Sequence, residues 1–317
     1  MIPMPNHNAE ETIKYVEVLM QAIIDKEVEI KKKHESILGN IQKELEINQT
    51  DKSFAYSLPT INEILDLDRM DSSLYSVDFK RKEFLIKNYI HGTSTIEELG
   101  FKASRGQNLQ VSNIGKSVYT SKYRDGYYTL VLPKYLTKYG TVSKTEYLGN
   151  SNTLKVLKQG EIIFGAEGNE KGRSLVVVEE QENAITNIHG ITLKQKHPNI
   201  QKGIFVKLFL DYYRSKGMID AYAVGGNGGS LAIKYWHLLG FPNFPDEVEK
   251  GITLLYHNAD AVYGSSKCGL DDFLSYDSEF NVTAGIHELD KSKRYLEEKL
   301  QQAIENIVND VKVEIAF

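Results

Sequence analysis

The residues best suited to contact a ligand lie in one basic, amide-rich stretch from Phe101 to Val178. It holds twelve Lys and Arg against five Asp and Glu, a local charge of +7 in a chain of net charge −5. Lys and Arg side chains neutralise phosphates, and Arg, Asn and Gln side chains match the hydrogen-bonding groups on base edges. A nucleic-acid interface is predicted, and a solvated lysine-rich surface is the alternative. The candidates are Lys102, Arg105, Gln107, Asn108, Gln110, Asn113, Lys116, Lys122, Arg124, Lys171 and Arg173.

Patterns that would support catalysis are missing from the sequence. The glycines of Gly225–Ser230 have the wrong spacing for a dinucleotide fingerprint. Gly115 and Lys116 resemble part of a phosphate loop, but Gln110 stands where that loop needs its first glycine. The eight His include no HExxH pair, and the single Cys268 can form no disulfide within the chain. We therefore expect a chain that is not an enzyme and that has no catalytic residue, metal or cofactor of its own.

The ends of the chain are predicted to be long helices. Hydrophobic residues recur every seven positions near the N-terminus, which is typical of a coiled-coil seam, and one face of a closing helix over Leu289–Val311 is also apolar. These faces are predicted to contact a partner helix, and a helix packed on its own domain is the alternative. The seam residues are Val16, Ile23, Ile30, Ile37, Leu296, Leu300 and Ile304.

The middle of the chain favours a mixed α/β domain. Short segments rich in β-branched and aromatic residues, separated by Gly, Asn and Lys, predict strands, among them Thr153–Leu157. Helices are predicted over Phe205–Met218 and around Val248–Tyr256, and Tyr263–Gly285 is expected to be an irregular, acidic loop with short helical turns. The predicted organisation is a spacer helix over 1–50, a recognition domain over 51–256, and a loop with a C-terminal helix over 257–317.

Five motifs in a fixed order carry a family resemblance. Glu161 and Gln107 depart from the usual Asp and Lys at their positions. The segments are Arg69–Ser76, Lys102–Tyr119, Gly160–Arg173, Thr186–Leu193 and Gly225–Pro245. Together they resemble the target recognition domain of the DNA specificity (S) subunits of type I restriction–modification systems, over about Leu67–Tyr256.

This resemblance implies a subunit that recognises double-stranded DNA and directs other subunits to a split target. The implied partners are DNA methyltransferase (M) subunits, a restriction (R) subunit and a second copy of the chain. S-adenosylmethionine, ATP and magnesium would then belong to the partners. The alternatives are a specificity module of a type II restriction–methylation system, and a coiled-coil adaptor that does not bind DNA.

Two proline-rich segments echo each other, at Ile2–Leu19 and Phe241–Asn258. In the family that the chain resembles, such a segment leads from a recognition domain into a long helix. The chain is therefore expected to be a half-subunit or the second half of a two-domain S subunit. Neither a secretory signal nor an apolar run of membrane length is present in the sequence, so a cytoplasmic location is expected.

Overall fold

The computed structural model describes residues 4–168, 170–179, 183–225, 229–264 and 268–317. The chain combines helix and sheet, which confirms the predicted mixed α/β class. It divides into a central unit, Leu38–Thr253, and a terminal unit made of Met1–Ile37 and Leu254–Phe317. Within the described residues, no helix has an apolar run long enough to cross a membrane.

Long helices form the ends of the chain, as predicted. The first helix can be long because proline and glycine, which disfavour a helix interior, are rare in its sequence. Only Gly39 occurs there, and it has open space around it. The helices are α1 (Ala9–Ile47), α2 (Ile61–Leu67), α3 (Val77–Lys87), α4 (Val111–Ile114), α5 (Ile200–Ser215), α6 (Met218–Tyr222), α7 (Asp246–Leu254), α8 (Phe273–Thr283) and α9 (Ile286–Val308).

The strands of the central unit form two four-stranded sheets. Sheet A has the order β2-β9-β6-β7 and is antiparallel, and sheet B has the order β3-β5-β4-β8 with a parallel β4–β8 pair. A short β1–β10 pair lies apart from both. The strands are β1 (Thr93–Ser94), β2 (Phe101–Arg105), β3 (Val118–Thr120), β4 (Tyr128–Leu130), β5 (Glu146–Gly149), β6 (Ile162–Gly165), β7 (Ser174–Val176), β8 (Ala184–Ile185), β9 (Gly190–Gln195) and β10 (Phe241–Pro242).

An ion pair deep in the core joins α5 to sheet A. Lys207 Nζ lies 2.6 Å from Asp211 Oδ2 and donates to the Tyr139 carbonyl at 3.2 Å, while Ser174 Oγ on β7 donates to Asp211 Oδ1 at 3.2 Å. Both charged side chains are buried. Burial lowers the pKa of Lys207, and the charge of Asp211 opposes that shift. The pair therefore fixes the orientation of α5 only while both partners are present.

In the terminal unit, the first part of α1 packs against α8 and α9. Val16 and Ile23 lie half-buried at the side of this contact. The centre of the contact is therefore displaced by about one residue from the predicted seam. The sequence did not indicate this because the central positions include Tyr15, a small alanine and a lysine, Lys26. The buried cluster contains Tyr15, Val18, Leu19, Ala22, Phe273, Leu296, Ala303, Ile307, Val313 and Phe317.

Of the other seam residues, Ile30 and Ile37 are buried, while Leu300 and Ile304 are half-buried. Lys26 is buried too, with Nζ 2.7 Å from Asp277 Oδ1. A separate stripe of apolar side chains on α1 remains exposed to solvent. We call it the exposed α1 stripe, and it consists of Ile13, Met20, Ile24 and Val28, which are 36–50% exposed.

Two local predictions were wrong. The interval Tyr263–Gly285 contains α8, whose residues Phe273, Asp277 and Phe280 bury one face at helical spacing although one of them is acidic. Thr153–Leu157 forms no strand, and its leucines instead anchor a loop, with Leu154 in the core beneath sheet B. In both places tertiary burial decided the outcome against local residue preference.

Breaking the buried pair of α5 should destabilise the central unit strongly. The change Lys207→Met leaves the Asp211 carboxylate buried without its cation, which costs about 3–5 kcal/mol. The double variant Lys207→Met/Asp211→Leu should recover most of that loss because no charge remains buried. Trp236, the single tryptophan, is buried in the central unit, so its fluorescence during urea unfolding follows this unit. Equal stability of the single variant and the wild type would contradict the role given to the pair.

Candidate nucleic-acid interface

Two chain segments run side by side between the sheets. One leaves β2 of sheet A through Gly106 and Gln107 toward α4 and β3, and the other leaves β8 of sheet B through Thr186 and Asn187 toward β9. The Gly106 N–H donates to the Gly190 carbonyl at 3.0 Å, and the Gln107 N–H donates to the Thr186 carbonyl at 2.8 Å. We call these segments the paired crossovers, because each is held by the backbone of the other.

Gly106 is required at this point by space. A Cβ atom there would lie 2.2 Å from the Asn187 carbonyl oxygen and 2.8 Å from both the Thr186 carbonyl oxygen and its methyl group. Two of these three atoms belong to backbone, which cannot rotate away as the end of a side chain could. The glycine of the Ser-Arg-Gly motif is therefore explained by the close approach of the two crossovers.

Three side chains meet at the ends of the crossovers, and we call them the Arg–Glu–His cluster. Arg105 Nη1 lies 2.9 Å from Glu167 Oε1, and His189 Nδ1 lies 2.9 Å from Glu167 Oε2. Arg105 Nη1 also donates to the Ile188 carbonyl at 3.3 Å. The Arg105 and Glu167 side chains are 38% and 37% exposed and His189 is 62% exposed, so the cluster is accessible to a ligand.

The carboxylate of this cluster is ionised at neutral pH. Burial raises the pKa of Glu167, but the hydrogen bond with His189 and the charge of Arg105 together hold it below its ordinary value. An ionised carboxylate only accepts hydrogen bonds, so His189 Nδ1 carries the proton. In the neutral ring, His189 Nε2 is then an acceptor on the exposed side.

The amide candidates beside the crossovers shape the loop that follows β2. Gln107 Nε2 donates to the Asn108 carbonyl at 3.3 Å, and the Lys155 N–H donates to Gln107 Oε1 at 3.3 Å. Asn108 Oδ1 accepts the N–H of Gln110 at 3.1 Å, and Asn113 Nδ2 donates to its neighbouring serine. The side chains of Gln110 and Asn113 are exposed and keep capacity for further hydrogen bonds.

Exposed cations and tyrosines accompany β3 and the turn after it. We call Lys116, Tyr119, Lys122, Tyr123 and Arg124 the basic–aromatic surface. The two tyrosines are 53% and 70% exposed, in that order. In the part of the chain that the structure describes, the three cations have no carboxylate at ion-pair distance. Their charges are therefore free to meet an anionic ligand.

An aromatic ring supports this surface from below. The Arg124 guanidinium lies 5.7 Å from the ring centroid of Tyr127. That ring fills the space over Gly149 of β5, where a Cβ atom would lie 2.5 Å from the ring carbon Cζ. The turn carrying Arg124 is thus packed onto sheet B by Tyr127.

The remaining predicted cations have different surroundings. Lys171 Nζ lies 2.7 Å from Asp220 Oδ1, and its side chain is only 12% exposed. Arg173 is paired with Glu170 and donates from Nη1 to a backbone carbonyl at 2.9 Å. Lys102 is exposed on β2. Lys171 and Arg173 are therefore engaged in holding the loop after β6, whereas Lys102 is not.

Neither Glu167 nor His189 is among the site residues predicted from the sequence. Both lie inside motifs that the sequence singled out, but their meeting depends on the β6–β9 pairing, in which Phe164 lies opposite Ile191. The glycine-rich motif Gly225–Ser230 also adjoins the cluster, since Ser230 forms a bridge with Glu167. Its residues 226–228, like residues 2 and 3 of the proline echo, lie outside the described residues.

No group of three or more His, Cys, Asp or Glu in the described ranges is arranged to hold a metal ion. The crossovers, the cluster and the basic–aromatic surface instead offer cations, amides and aromatic rings. These are groups that bind nucleic-acid phosphates and base edges.

No family model matches the chain, and no curated protein matches it. Seven chains among solved structures match. One of them, from work on complex assembly and conformational transition of the type I R-M system, is similar with a TM-score of 0.40 and 11% sequence identity. The likeness covers 93% of this chain and 57% of that one, so this chain spans little more than half of its length.

The space requirement at Gly106 can be tested by a single methyl group. Gly106→Ala should push the crossovers apart and cost about 1–3 kcal/mol in the free energy of unfolding. The matched control is Gly251→Ala in α7 of the same unit, where an added Cβ atom would meet no described atom within 4 Å apart from its own helix backbone, and where alanine favours the helix. Urea unfolding followed by Trp236 fluorescence measures both. Equal effects at the two glycines would show that the crossovers tolerate the methyl group.

Proposed function

We propose that this protein is a non-catalytic subunit that recognises specific sequences in double-stranded DNA for a restriction–modification system. The observation that carries the proposal is the basic–aromatic surface, where cations with no acid partner among the described residues lie exposed on a chain of net charge −5. Elsewhere in the central unit, buried or half-buried cations such as Lys207 and Lys171 are paired with carboxylates. The unpaired ones are therefore the natural contacts for phosphates.

Two parts of the surface would have different tasks. Contacts with phosphates position a protein on DNA, whereas contacts with base edges distinguish sequences. Lys116, Lys122 and Arg124 suit the first task because they carry uncompensated charge. The Arg–Glu–His cluster and the amides of the paired crossovers suit the second, because they present oriented donors and acceptors.

The order of the sequence motifs supports a specificity subunit of the type I kind. In such a system the methyltransferase and nuclease activities, with their S-adenosylmethionine, ATP and magnesium, would belong to other subunits. A single recognition domain would read one half of a split target. Two copies would then pair to read both halves, and the symmetry of the pair would appear in the DNA site.

The phosphate role predicts a specific change in salt dependence. The variant Lys116→Gln/Lys122→Gln/Arg124→Gln should bind a pool of random-sequence duplexes more weakly. The slope of log affinity against log salt should fall in magnitude by about 2.7, or about 0.9 for each lost phosphate contact. Fluorescence anisotropy over a salt series measures both quantities.

The matched control for this experiment is Lys43→Gln/Lys52→Gln/Lys250→Gln. It removes the same charge from exposed lysines of the central unit that also have no acid partner among the described residues. The control should retain the slope of the wild type. If both triple variants lose affinity equally, net charge and not this surface governs binding. If the wild type binds no DNA at any salt concentration, the chain acts as an adaptor.

The exposed α1 stripe is the surface on which pairing can be tested. Met20→Glu/Ile24→Glu should convert a dimer into a monomer because both side chains are about half exposed in the single chain and would be covered in a pair. Lys43→Glu adds an acid at an exposed polar site of the same helix and should leave the mass unchanged. Light scattering measures the mass. A wild-type monomer, both alone and with methyltransferase, would exclude pairing. That result would not contradict the proposal that the chain binds DNA.

A further inference from the structure

The guanidinium of Arg105 is fixed on one side and free on the other. Nη1 makes both of its described contacts, with Glu167 Oε1 and the Ile188 carbonyl. Nε and Nη2 make no hydrogen bond to any residue within the described ranges. These two nitrogens form the side edge of the guanidinium, whose two N–H bonds point the same way. Arg105 therefore holds a parallel pair of donors in a set orientation.

Its carboxylate partner is itself fixed. Glu167 is joined to Ser230 by a β-bridge, and its second oxygen is occupied by His189. The paired crossovers fix the backbone on the other side, directly after Arg105. A long side chain that is held before binding loses less conformational freedom when a ligand arrives. This arrangement suits recognition that depends on geometry.

The charge of the cluster argues against a phosphate as the ligand. The positive charge of Arg105 is largely compensated by the Glu167 carboxylate, which would also repel a phosphate. Lys116, Lys122 and Arg124 have no such partner in the described part of the chain and are better phosphate contacts. A neutral group with two parallel acceptors fits the free edge of Arg105 better. Among the four bases, guanine alone presents two acceptors, O6 and N7, in the major groove.

We propose that Arg105 reads a guanine of the DNA target through Nε and Nη2, and that Glu167 is the positioning residue that orients it. This inference rests on the proposed function and adds to it one base of the target and the residue that reads it. Arg105→Lys keeps the charge but replaces the two-donor edge with a single ammonium. Glu167→Gln keeps the shape of the side chain but removes the charge that holds Nη1.

The first experiment selects binding sequences from a random duplex pool with the wild type and with Arg105→Lys, Glu167→Gln and Lys122→Gln. The wild type should enrich a motif in which one guanine depends on Arg105. Arg105→Lys should lose preference at that position alone, by about 5- to 150-fold, and Glu167→Gln should lose less. Lys122→Gln should keep the motif and bind all sequences more weakly. Trp236 fluorescence during urea unfolding shows whether each variant is folded.

The second experiment removes one acceptor from the DNA. Substituting 7-deazaguanine for the selected guanine deletes N7 and should weaken the wild type, while adding little to the loss already present in Arg105→Lys. The inference would be overturned if Arg105→Lys selected the same motif as the wild type, or if the variant and the deaza base weakened binding independently of each other. Either result would leave the proposed function standing. A wild type that enriches no sequence would overturn both.

Discussion

The close contact between the paired crossovers is the constraint on which the candidate interface depends. Gly106 lies so near the backbone of Thr186 and Asn187 that any side chain would collide with it. Where the chain leaves β2 and where it enters β9, the two crossovers hydrogen-bond to each other and join sheet A to sheet B. The Arg–Glu–His cluster forms at that place. Beside this contact, the β2–β9 pairing places Arg105 opposite Ile191, two residues from His189.

Buried and exposed cations have different surroundings in this chain. Buried lysines are each matched by a carboxylate, as Lys207 is by Asp211 in the central unit and Lys26 is by Asp277 in the terminal unit. Leaving such a charge unpaired in the core would cost several kcal/mol. Within the described ranges, the exposed cations of the basic–aromatic surface have no matching carboxylate, since solvent already stabilises them. A count of charges in the sequence does not distinguish buried, paired lysines from exposed ones. The burial of each side chain and its distance to a carboxylate show which lysines can contact a ligand.

The terminal unit shows a related division for apolar residues. The regular seven-residue repeat on α1 correctly indicated a long helix with a covered face. The centre of that face is formed by Tyr15, Leu19 and Ala22, and it packs on helices of the same chain. The exposed α1 stripe lies beside it. Helix periodicity places apolar residues on a side of the helix, but it does not state which neighbour covers that side.

The sequence by itself determined the mixed α/β class, the long terminal helices, the basic stretch and the order of the motifs. These features depend on residue type and on spacing of a few positions, which local physics translates into helix, strand and charge. Only the tertiary structure decided that Glu167 and His189 join Arg105, that Lys171 and Arg173 are engaged within the protein, and that Tyr263–Gly285 contains a helix. Each of these outcomes requires residues distant in sequence to meet. Strand pairing and burial, which no short window of sequence contains, bring about those meetings.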